Sequence, residues 1–343
     1  MVTWPVVTNA SPAPGRLAAT LERLLPGRKK EGGDGPPRRK AEAKGGIQLR
    51  RFAGPTAYVE QLEHLRIAHL TDMHVGRITP TKVQKAAVEM TNAEKPDLVL
   101  ITGDFVCHSQ FFLDELEEIV RSFGAPVIGV LGNHDYWSGA KEVKRALERA
   151  GAEILSNQST VITLRHQRLQ VVGLDDAYTG HADREAAVKG LRGDLPSIGL
   201  SHIAEEADGL WTHGVPLVLS GHTHAGQVTL AKLHELTLGK LVGHKYVHGL
   251  YGTRRASATP QGAVYVGAGI GAAVIPLRLG ERGQREITLF ELGHEPGSFD
   301  EHHQEQEPLP GRKPSEKVQW KRAAKVVKKQ MKRDARKKTS ESA

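Results

Sequence analysis

The sequence has little cysteine and no long apolar run. Cys107 is the single cysteine among 343 residues, so an intrachain disulfide is excluded and a reducing compartment is favoured. No stretch reaches the roughly 18 apolar residues that a membrane-spanning helix needs. The first residues do not resemble a secretory signal, because Pro5, Pro12 and Pro14 interrupt them and the first basic residue is Arg16. These absences predict a cytoplasmic protein.

Positive charge is concentrated at the two ends of the chain. The net charge is +8, of which residues 312–343 carry +10 and residues 1–46 carry +5, leaving −7 for residues 47–311. An acidic body is typical of a protein whose carboxylates bind cations. It argues against a long nucleic-acid channel in that body, because such channels neutralise phosphates with Lys and Arg.

Composition divides the chain into four segments. Residues 1–46 are rich in Pro, Gly, Lys and Arg, which predicts a disordered basic segment with a short helix over Leu17–Leu25. Residues 47–293 form the predicted globular domain. Residues 294–316 are polar and predict a linker, and residues 317–343 form a basic tail.

The basic tail carries a thin apolar stripe at helical spacing, formed by Trp320, Ala324, Val327 and Met331. Three alternatives stay open for it. It is a solvated, disordered or frayed helix, or it docks on an anionic membrane surface at the inner face of the membrane, or it binds nucleic acid without sequence preference.

Apolar runs alternate with helical patterns across residues 47–293, which predicts an α/β fold. The predicted strands are Leu65–Leu70, Asp97–Thr102, Val127–Leu131, Val161–Leu164, Leu169–Leu174, Ile198–Leu200, Leu217–Leu219, Val264–Val266 and Glu286–Glu291. The predicted helices are 80–93 with Thr79 as its cap, Phe111–Phe123 and Gly139–Ala150.

Five clusters of polar residues follow predicted strands. They are Asp72-Met73-His74, Gly103-Asp104, Gly132-Asn133-His134-Asp135, Ser201-His202 and Gly221-His222-Thr223-His224. Ligands of α/β proteins bind beyond the carboxyl ends of strands, so we expect these loops to converge. Their Asp, His and Asn side chains, with no thiolate, suit Mn²⁺, Fe, Zn, Co or Ni rather than a structural zinc site.

In order and spacing, the five clusters resemble the calcineurin-like metallophosphoesterases over residues 65–292. The segments Gly221–Gln227 and Pro276–Gly280 resemble more specifically the bacterial phosphodiesterase group that includes UDP-2,3-diacylglucosamine pyrophosphatases, which hydrolyse a lipid A precursor. The resemblance implies two mixed β-sheets packed face to face with helices outside. It also implies two divalent metal ions, with Mn²⁺ favoured.

Site residues follow from the same resemblance. It places Asp72, His74 and His224 on the first metal, Asn133, His202 and His222 on the second, and Asp104 as a bridge between them. His134 is expected to donate a proton to the leaving group, with Asp135 holding its imidazole in place. A hydroxide that bridges the metals is expected to attack phosphorus.

Three functions stay open at this point. The first is a phosphodiesterase or pyrophosphatase with a small, nucleotide-linked or lipid-linked substrate. The second is a nuclease whose basic ends hold nucleic acid, and it predicts activity that falls steeply with salt. The third is a non-catalytic metal-binding scaffold, which would be expected to lack some of the ligands found here.

For six further residues a role outside the chemistry is expected or stays open. His108 is expected to be an ordinary loop residue, and Cys107 an unreactive small side chain. Asp175-Asp176 either lines the cleft or forms a turn. His244 and His248 are expected on a solvated loop.

Overall fold

The computed structural model describes residues 46–226, 241–255, 261–272, 278, 280 and 283–341, with only the backbone for residues 337–341. The predicted disordered segment up to residue 45 and its helix Leu17–Leu25 lie outside these residues. So do Gln227, the last residue of the segment Gly221–Gln227, and most of the segment Pro276–Gly280.

Twelve strands in the described residues form two six-stranded sheets. They are β1 Ile47–Ala53, β2 Leu65–Leu70, β3 Leu98–Thr102, β4 Val127–Val130, β5 Glu153–Leu155, β6 Gln158–Leu164, β7 Gln167–Gly173, β8 Ser197–Leu200, β9 Leu217–Ser220, β10 Gly249–Gly252, β11 Ala263–Val266 and β12 Arg285–Leu292. The first sheet has the order β1-β12-β2-β3-β4-β5, and the second β10-β11-β9-β8-β7-β6. Both sheets are mixed: β12 is antiparallel to β2, β6 to β7 and β10 to β11, while β2 to β5 run parallel.

Seven α-helices are described. They are α1 Thr81–Ala93, α2 Leu113–Arg121, α3 Asn133–Ser138, α4 Ala140–Arg149, α5 Arg184–Val188, α6 Ala207–Trp211 and α7 Glu316–Glu341. In the described part of the chain, no helix combines the length and apolar composition needed to cross a bilayer.

Three apolar layers define the architecture. One lies between the sheets, where Leu65 and Ile67 of β2 meet Leu200 of β8. A second lies between the first sheet and helices α1, α2 and α4, and contains Ala68 and Leu70. A third covers the outer face of the second sheet. Successive β2 residues therefore point to opposite faces of a sheet that is covered on both sides, and the predicted four-layer α/β fold is confirmed.

Two of the differences from the predictions have a clear physical reason. Helix α1 begins at Thr81 after Pro80, and no side chain caps it; the Thr79 hydroxyl instead accepts a hydrogen bond from the Ala272 amide. Strand β1 was missed because Arg50 and Arg51 interrupt its apolar pattern. The Arg50 charge is buried against Glu286, a long-range pairing that no local pattern reveals.

The segment predicted as a polar linker contacts the body. Arg254 forms ion pairs with Glu301 and Glu305, and Gln306 forms a backbone bridge to Tyr251 of β10. These contacts lead the chain along the second sheet to the start of α7. The division into four segments stays a prediction.

Candidate metal centre

The five polar clusters lie at the carboxyl ends of parallel strands. Asp72, Asp104 and Asn133 follow β2, β3 and β4, which are neighbours in the first sheet. His202 and His222 follow β8 and β9, which are neighbours in the second. Because the two sheets pack face to face, the ends of these five strands meet at one edge of the molecule, as the sequence predicted.

The first group consists of Asp72, His74 and His224, whose candidate ligand atoms all lie within 4.8 Å of one another. His224 Nε2 lies 3.3 Å from Asp72 Oδ1 and 3.0 Å from His74 Nε2. Asp72 Oδ1 is buried and forms no hydrogen bond within the described chain. Three electron-rich atoms therefore face one point.

The second group consists of Asp104, His202 and His222 and is equally compact. His202 Nε2 lies 3.4 Å from Asp104 Oδ2 and 3.2 Å from His222 Nδ1. The same Asp104 oxygen lies 3.6 Å from His74 Nε2 of the first group. Asp104 thus stands between the two groups, the position that a bridging carboxylate requires.

Hydrogen bonds fix the orientation of these side chains. His202 Nδ1 donates to the Thr102 carbonyl at 2.7 Å, which orients Nε2 toward Asp104 and His222. The other Asp104 oxygen accepts from the His134 amide at 2.8 Å. Partners of this kind are what hold metal ligands in one rotamer.

The backbone at the site is strained. Five of the seven predicted ligands have a left-handed backbone: Asp72, His74, Asp104, His222 and His224, with φ between 43° and 73°. This region is uncommon for residues other than glycine and costs on the order of 1–3 kcal/mol at each position. Hydrogen bonds between the loops hold it, such as Asp72 N to Gly103 O and His74 N to Asp104 O.

Glycine is required where two of these loops cross. At Gly103, with φ +85°, a Cβ would lie 2.8 Å from His202 Nδ1 and 2.7 Å from the Gly132 amide nitrogen. The close approach of the two strand ends therefore depends on a residue without a side chain.

Electrostatics favour a cation at this edge. Burial lowers the pKa of His74 to about 4 and that of His224 to about 3, so both rings are neutral at pH 7 and offer lone pairs. Burial acts against a charged His202 too, but the carboxylates, Asp104 first, outweigh it and raise its pKa to about 10. In the metal-free site His202 is therefore protonated at pH 7, while His74 and His224 are neutral. A divalent ion would take the place of the His202 Nε2 proton, because a metal ligand must be deprotonated.

Asn133 and His134 begin helix α3. The Asn133 Oδ1 atom is buried without a hydrogen-bond partner, which suits an amide oxygen that is to bind a metal. The donor set therefore fits two divalent ions: carboxylate and imidazole atoms converge in two groups, and Asp72 Oδ1 and Asn133 Oδ1 are buried without a hydrogen-bond partner in the described chain. Their assignment as ligands stays a prediction.

One predicted interaction is wrong. Asp135 does not hydrogen-bond the His134 imidazole, whose buried Nδ1 has no hydrogen-bond partner in the described chain. The Asp135 carboxylate instead accepts from the backbone amides of Gly132 and Val106. It closes the first turn of α3 and ties two strand-end loops together, because a carboxylate three residues into a helix reaches back to the cap amide.

The His134 imidazole is held by aromatic contacts. Its ring centroid lies 4.1 Å from that of His108 and 4.7 Å from that of Trp137. Tyr178 lies beside Trp137 and 5.0 Å from the His222 ring. We call His108, Trp137 and Tyr178 the aromatic rim; His108 is therefore more than an ordinary loop residue.

The other flagged residues support the site from outside. Asp176 forms a turn, since its carboxylate accepts from the Thr179 amide and hydroxyl, and this turn positions Tyr178. His244 pairs with Glu205 and lies 5.6 Å from the His222 ring. His248 is buried against Glu286, so the expectation of a solvated position is wrong for it.

Arg278 was missed as an individual residue. Its guanidinium donates to the carbonyls of Ala268 and Gly271 and lies 3.5 Å from His224 Nδ1. It therefore positions the loop that packs under the first group. Cys107 lies near His74 and His134, but burial raises the pKa of its thiol to about 11, which keeps it protonated and a poor ligand.

Comparison with known proteins places this site in a family context. The profile described as calcineurin-like phosphoesterase matches residues 65–226, a stretch that contains all five clusters. A metallophosphoesterase of Helicobacter pylori is 34% identical over 237 residues, covering 64% of this chain and 58% of that protein. Phosphodiesterase YaeI of Escherichia coli is 29% identical, covering 66% of this chain and 82% of that protein. The chain therefore spans less than two thirds of the Helicobacter relative.

Proposed function

Residues 65–226 of this chain form a calcineurin-like phosphoesterase domain, and from that premise we propose that the protein is a metal-dependent hydrolase of phosphoric diesters or pyrophosphates. One observation carries the proposal: two compact groups of donor atoms lie on either side of Asp104, with buried oxygens that have no hydrogen-bond partner in the described chain. A protein that needed this edge only for folding would have satisfied those atoms.

The residues proposed to hold the first ion are Asp72, His74 and His224, and those proposed for the second are Asn133, His202 and His222, with Asp104 shared. When bound, two divalent ions lower the pKa of a water molecule and offset negative charge on phosphoryl oxygens. Mn²⁺ is proposed as the ion, because hard oxygen donors and imidazoles occur together in this set.

His134 is proposed to serve the leaving group. Burial lowers the pKa of its ring to about 3, so the imidazole is neutral in the free protein and carries one N–H. That N–H can donate to a phosphoryl or leaving-group oxygen. An anionic substrate bound beside the ring raises its pKa and favours proton transfer.

The preference for a diester rests on similarity to a protein named as a phosphodiesterase and on the rim. Trp137 and Tyr178 border the site and offer flat surfaces for the organic group on the far side of the phosphate. A monoester has no such second group. The finer proposal is a nucleotide-linked or lipid-linked diester or pyrophosphate.

The decisive experiment compares bis-p-nitrophenyl phosphate with p-nitrophenyl phosphate as substrates for metal-stripped protein, with and without Mn²⁺. Diester turnover that requires metal, and that Asp104→Asn abolishes while the exposed Asp194→Asn retains it, is the expected result. No turnover of either compound by protein shown to bind two metal ions would contradict the proposal and favour the scaffold. Cleavage of plasmid DNA that falls steeply with salt would favour a nuclease.

A membrane location for this activity is favoured by the orientation of α7. Its apolar stripe faces solvent, with Trp320 71%, Val327 58% and Met331 67% exposed, on a helix rich in lysine. Such a stripe fits the interface of an anionic bilayer. We expect co-sedimentation with phosphatidylglycerol vesicles but not with phosphatidylcholine vesicles, and loss of it in the variant Trp320→Gln/Val327→Gln/Met331→Gln. Equal sedimentation of that variant and the parent would contradict this location.

A further inference from the structure

Helix α7 lies on the aromatic rim of the candidate site. Arg322 stacks on the Tyr178 ring at 3.8 Å, and Lys325 Nζ lies 3.3 Å from the centre of the Trp137 ring. Lys329 Nζ lies 3.5 Å from His108 Nδ1. Each member of the rim therefore has one cation of α7 against it.

The rim connects these cations to the predicted reaction centre. His108 and Trp137 contact the ring of His134, the proposed donor to the leaving group. Tyr178 contacts the ring of His222, a predicted ligand of the second metal. One aromatic ring therefore lies between a cation of α7 and His134, and another lies between a cation of α7 and His222.

The helix has two opposite faces. Arg322, Lys325 and Lys329 recur at three- and four-residue spacing, so they share the face that meets the rim. Arg333 extends this face and donates to the Trp137 carbonyl at 2.5 Å. The apolar stripe lies on the other side and is exposed. A helix that docks through its charged face and leaves its apolar face in solvent is not held by the usual burial of apolar area.

The three inward cations are available to an anion. In the described part of the chain their contacts are aromatic rings and an imidazole, and none of them is in an ion pair with a carboxylate. Burial lowers the pKa of Lys325 and Lys329, in keeping with their positions against Trp137 and His108. A cation at the edge of the candidate site is suited to bind a phosphate group of the substrate through a charged hydrogen bond.

We propose that Arg322, Lys325 and Lys329 form a phosphate-binding wall of the active site, which binds an anionic group of the substrate other than the one that is cleaved. This wall rests on the proposed hydrolase function. It selects substrates with a second phosphate, such as pyrophosphate diesters, over compounds with a single charge. It also offsets the repulsion between an anionic substrate and a body of net charge −7.

The test uses the full chain with Mn²⁺ and two variants that lose the same charge. The first is Arg322→Gln/Lys325→Gln/Lys329→Gln on the inward face. The matched control is Lys321→Gln/Lys328→Gln/Lys332→Gln, whose lysines are all exposed. KM and kcat are measured at 50 and 300 mM NaCl for a pyrophosphate diester, diadenosine diphosphate, and for bis-p-nitrophenyl phosphate, which has a single phosphate and serves as the reference. Thermal unfolding checks that both variants fold.

We expect the inward variant to raise KM for the pyrophosphate diester about tenfold at low salt, because one charged hydrogen bond contributes on that order, with kcat changed less than twofold. KM for bis-p-nitrophenyl phosphate, which has no second phosphate, should change less. The KM of the inward variant for the pyrophosphate diester should no longer depend on salt, because salt screens the attraction that the variant removes. The control should stay within twofold of the parent. Equal KM values in the two variants would contradict the proposed phosphate-binding wall. A rise in kcat or a fall in KM on the inward change would overturn it too, because the helix would then be a cover over the site.

A second measurement does not depend on turnover. Trp137 lies under Lys325 and Lys329, so its fluorescence should respond to inorganic pyrophosphate added to metal-stripped protein. We expect a saturable change that the inward variant loses and the control keeps. If the parent with metal hydrolyses no phosphate ester, the proposed function fails while this titration still decides the wall. If the parent is active and neither readout separates the variants, the wall alone fails.

Discussion

Two buried carboxylate sites in the described residues, one around Glu286 and one around Asp72 and Asp104, differ in how the chain balances their charge. Glu286, between the sheets, accepts from Arg50 at 2.6 Å, from His248 and Tyr265 at 3.0 Å, and from the Ala268 amide at 2.9 Å. Every oxygen of that carboxylate has a donor. Arg50 carries a permanent charge, so the cluster is close to neutral and complete.

The second cluster, at the strand ends, is different. Asp72 and Asp104 face histidines, of which His74 and His224 are neutral at pH 7 because burial lowers their pKa. Asp72 Oδ1 has no hydrogen-bond partner in the described residues. Comparison of the two clusters shows how a buried acid that serves folding differs from one that serves a ligand. The first is paired with a permanent cation, Arg50. In the second, the positive charge on His202 is a proton that a metal ion can replace.

The largest expected effect comes from the incomplete cluster. We predict that Asp104→Asn lowers diester turnover by on the order of 10³-fold, as loss of a central electrostatic group does, and reduces bound metal below two ions per chain. Metal content by atomic absorption and initial rates measure both. Two ions per chain with unchanged rates would show that Asp104 bridges nothing.

For the Glu286 cluster we expect the opposite result, in which a substitution lowers stability and leaves metal binding unchanged. Glu286→Gln leaves Arg50 buried without its anion, and breaking such a pair costs about 3–5 kcal/mol of stability. We expect a much lower urea midpoint with two metal ions still bound. The exposed Glu118→Gln, which loses only a surface pair with Lys85, is the control and should not change the midpoint measurably. If Glu286→Gln lost metal but kept its stability, the assignment of Glu286 to folding rather than to metal binding would be contradicted.

A smaller effect on turnover is expected from His134, which is proposed to donate a proton and is not a member of either carboxylate cluster. His134→Gln should lower kcat about 10²-fold, the lower range for a positioned proton donor, and leave metal content and the urea midpoint unchanged. The exposed His213→Gln serves as control. Rates equal to the parent would remove His134 from the proposed chemistry.

The smallest expected effect is the pH dependence of the stability that the Glu286 cluster contributes. Although burial acts against its charge, His248 and Arg50 lower the pKa of Glu286 well below its usual value. The stability from that shift is therefore fully present above the unfolded pKa of about 4.3 and is lost as pH falls through the folded pKa. The difference in unfolding midpoint between the parent and Glu286→Gln should shrink between pH 5 and pH 2.5. A constant difference would contradict the depressed pKa.

The fold and the place of the site could be predicted because their signals are local. Short apolar runs ending in Asp, His or Asn identified β2, β3, β4, β8 and β9, and parallel strands must end at a common edge. The hydrogen bonds of Asp135 could not be predicted, because the same carboxylate can reach a neighbouring imidazole or a cap amide. Burial of His248 and of β1 depended on partners more than 35 residues away in sequence, Glu286 in both cases.

In the basic tail, too, some features could be predicted from the sequence and others could not. Its helical spacing and its apolar stripe were readable in the sequence, and the structure has the helix Glu316–Glu341. Which face turns inward was not readable, since an apolar stripe ordinarily faces the protein. Here the cations lie on the rim, because aromatic rings of α3 and of the turn after β7 are presented to them.

The sequence by itself determined the kinds of donor atom, their order along the chain and the strands that deliver them, because residue type and periodicity are properties of short segments. Only the tertiary structure decided which donors share a point, which buried acid is paired with a permanent cation and which face of α7 meets the site. Those outcomes depend on distances between segments far apart in the chain, and burial sets their energies once the two sheets have packed.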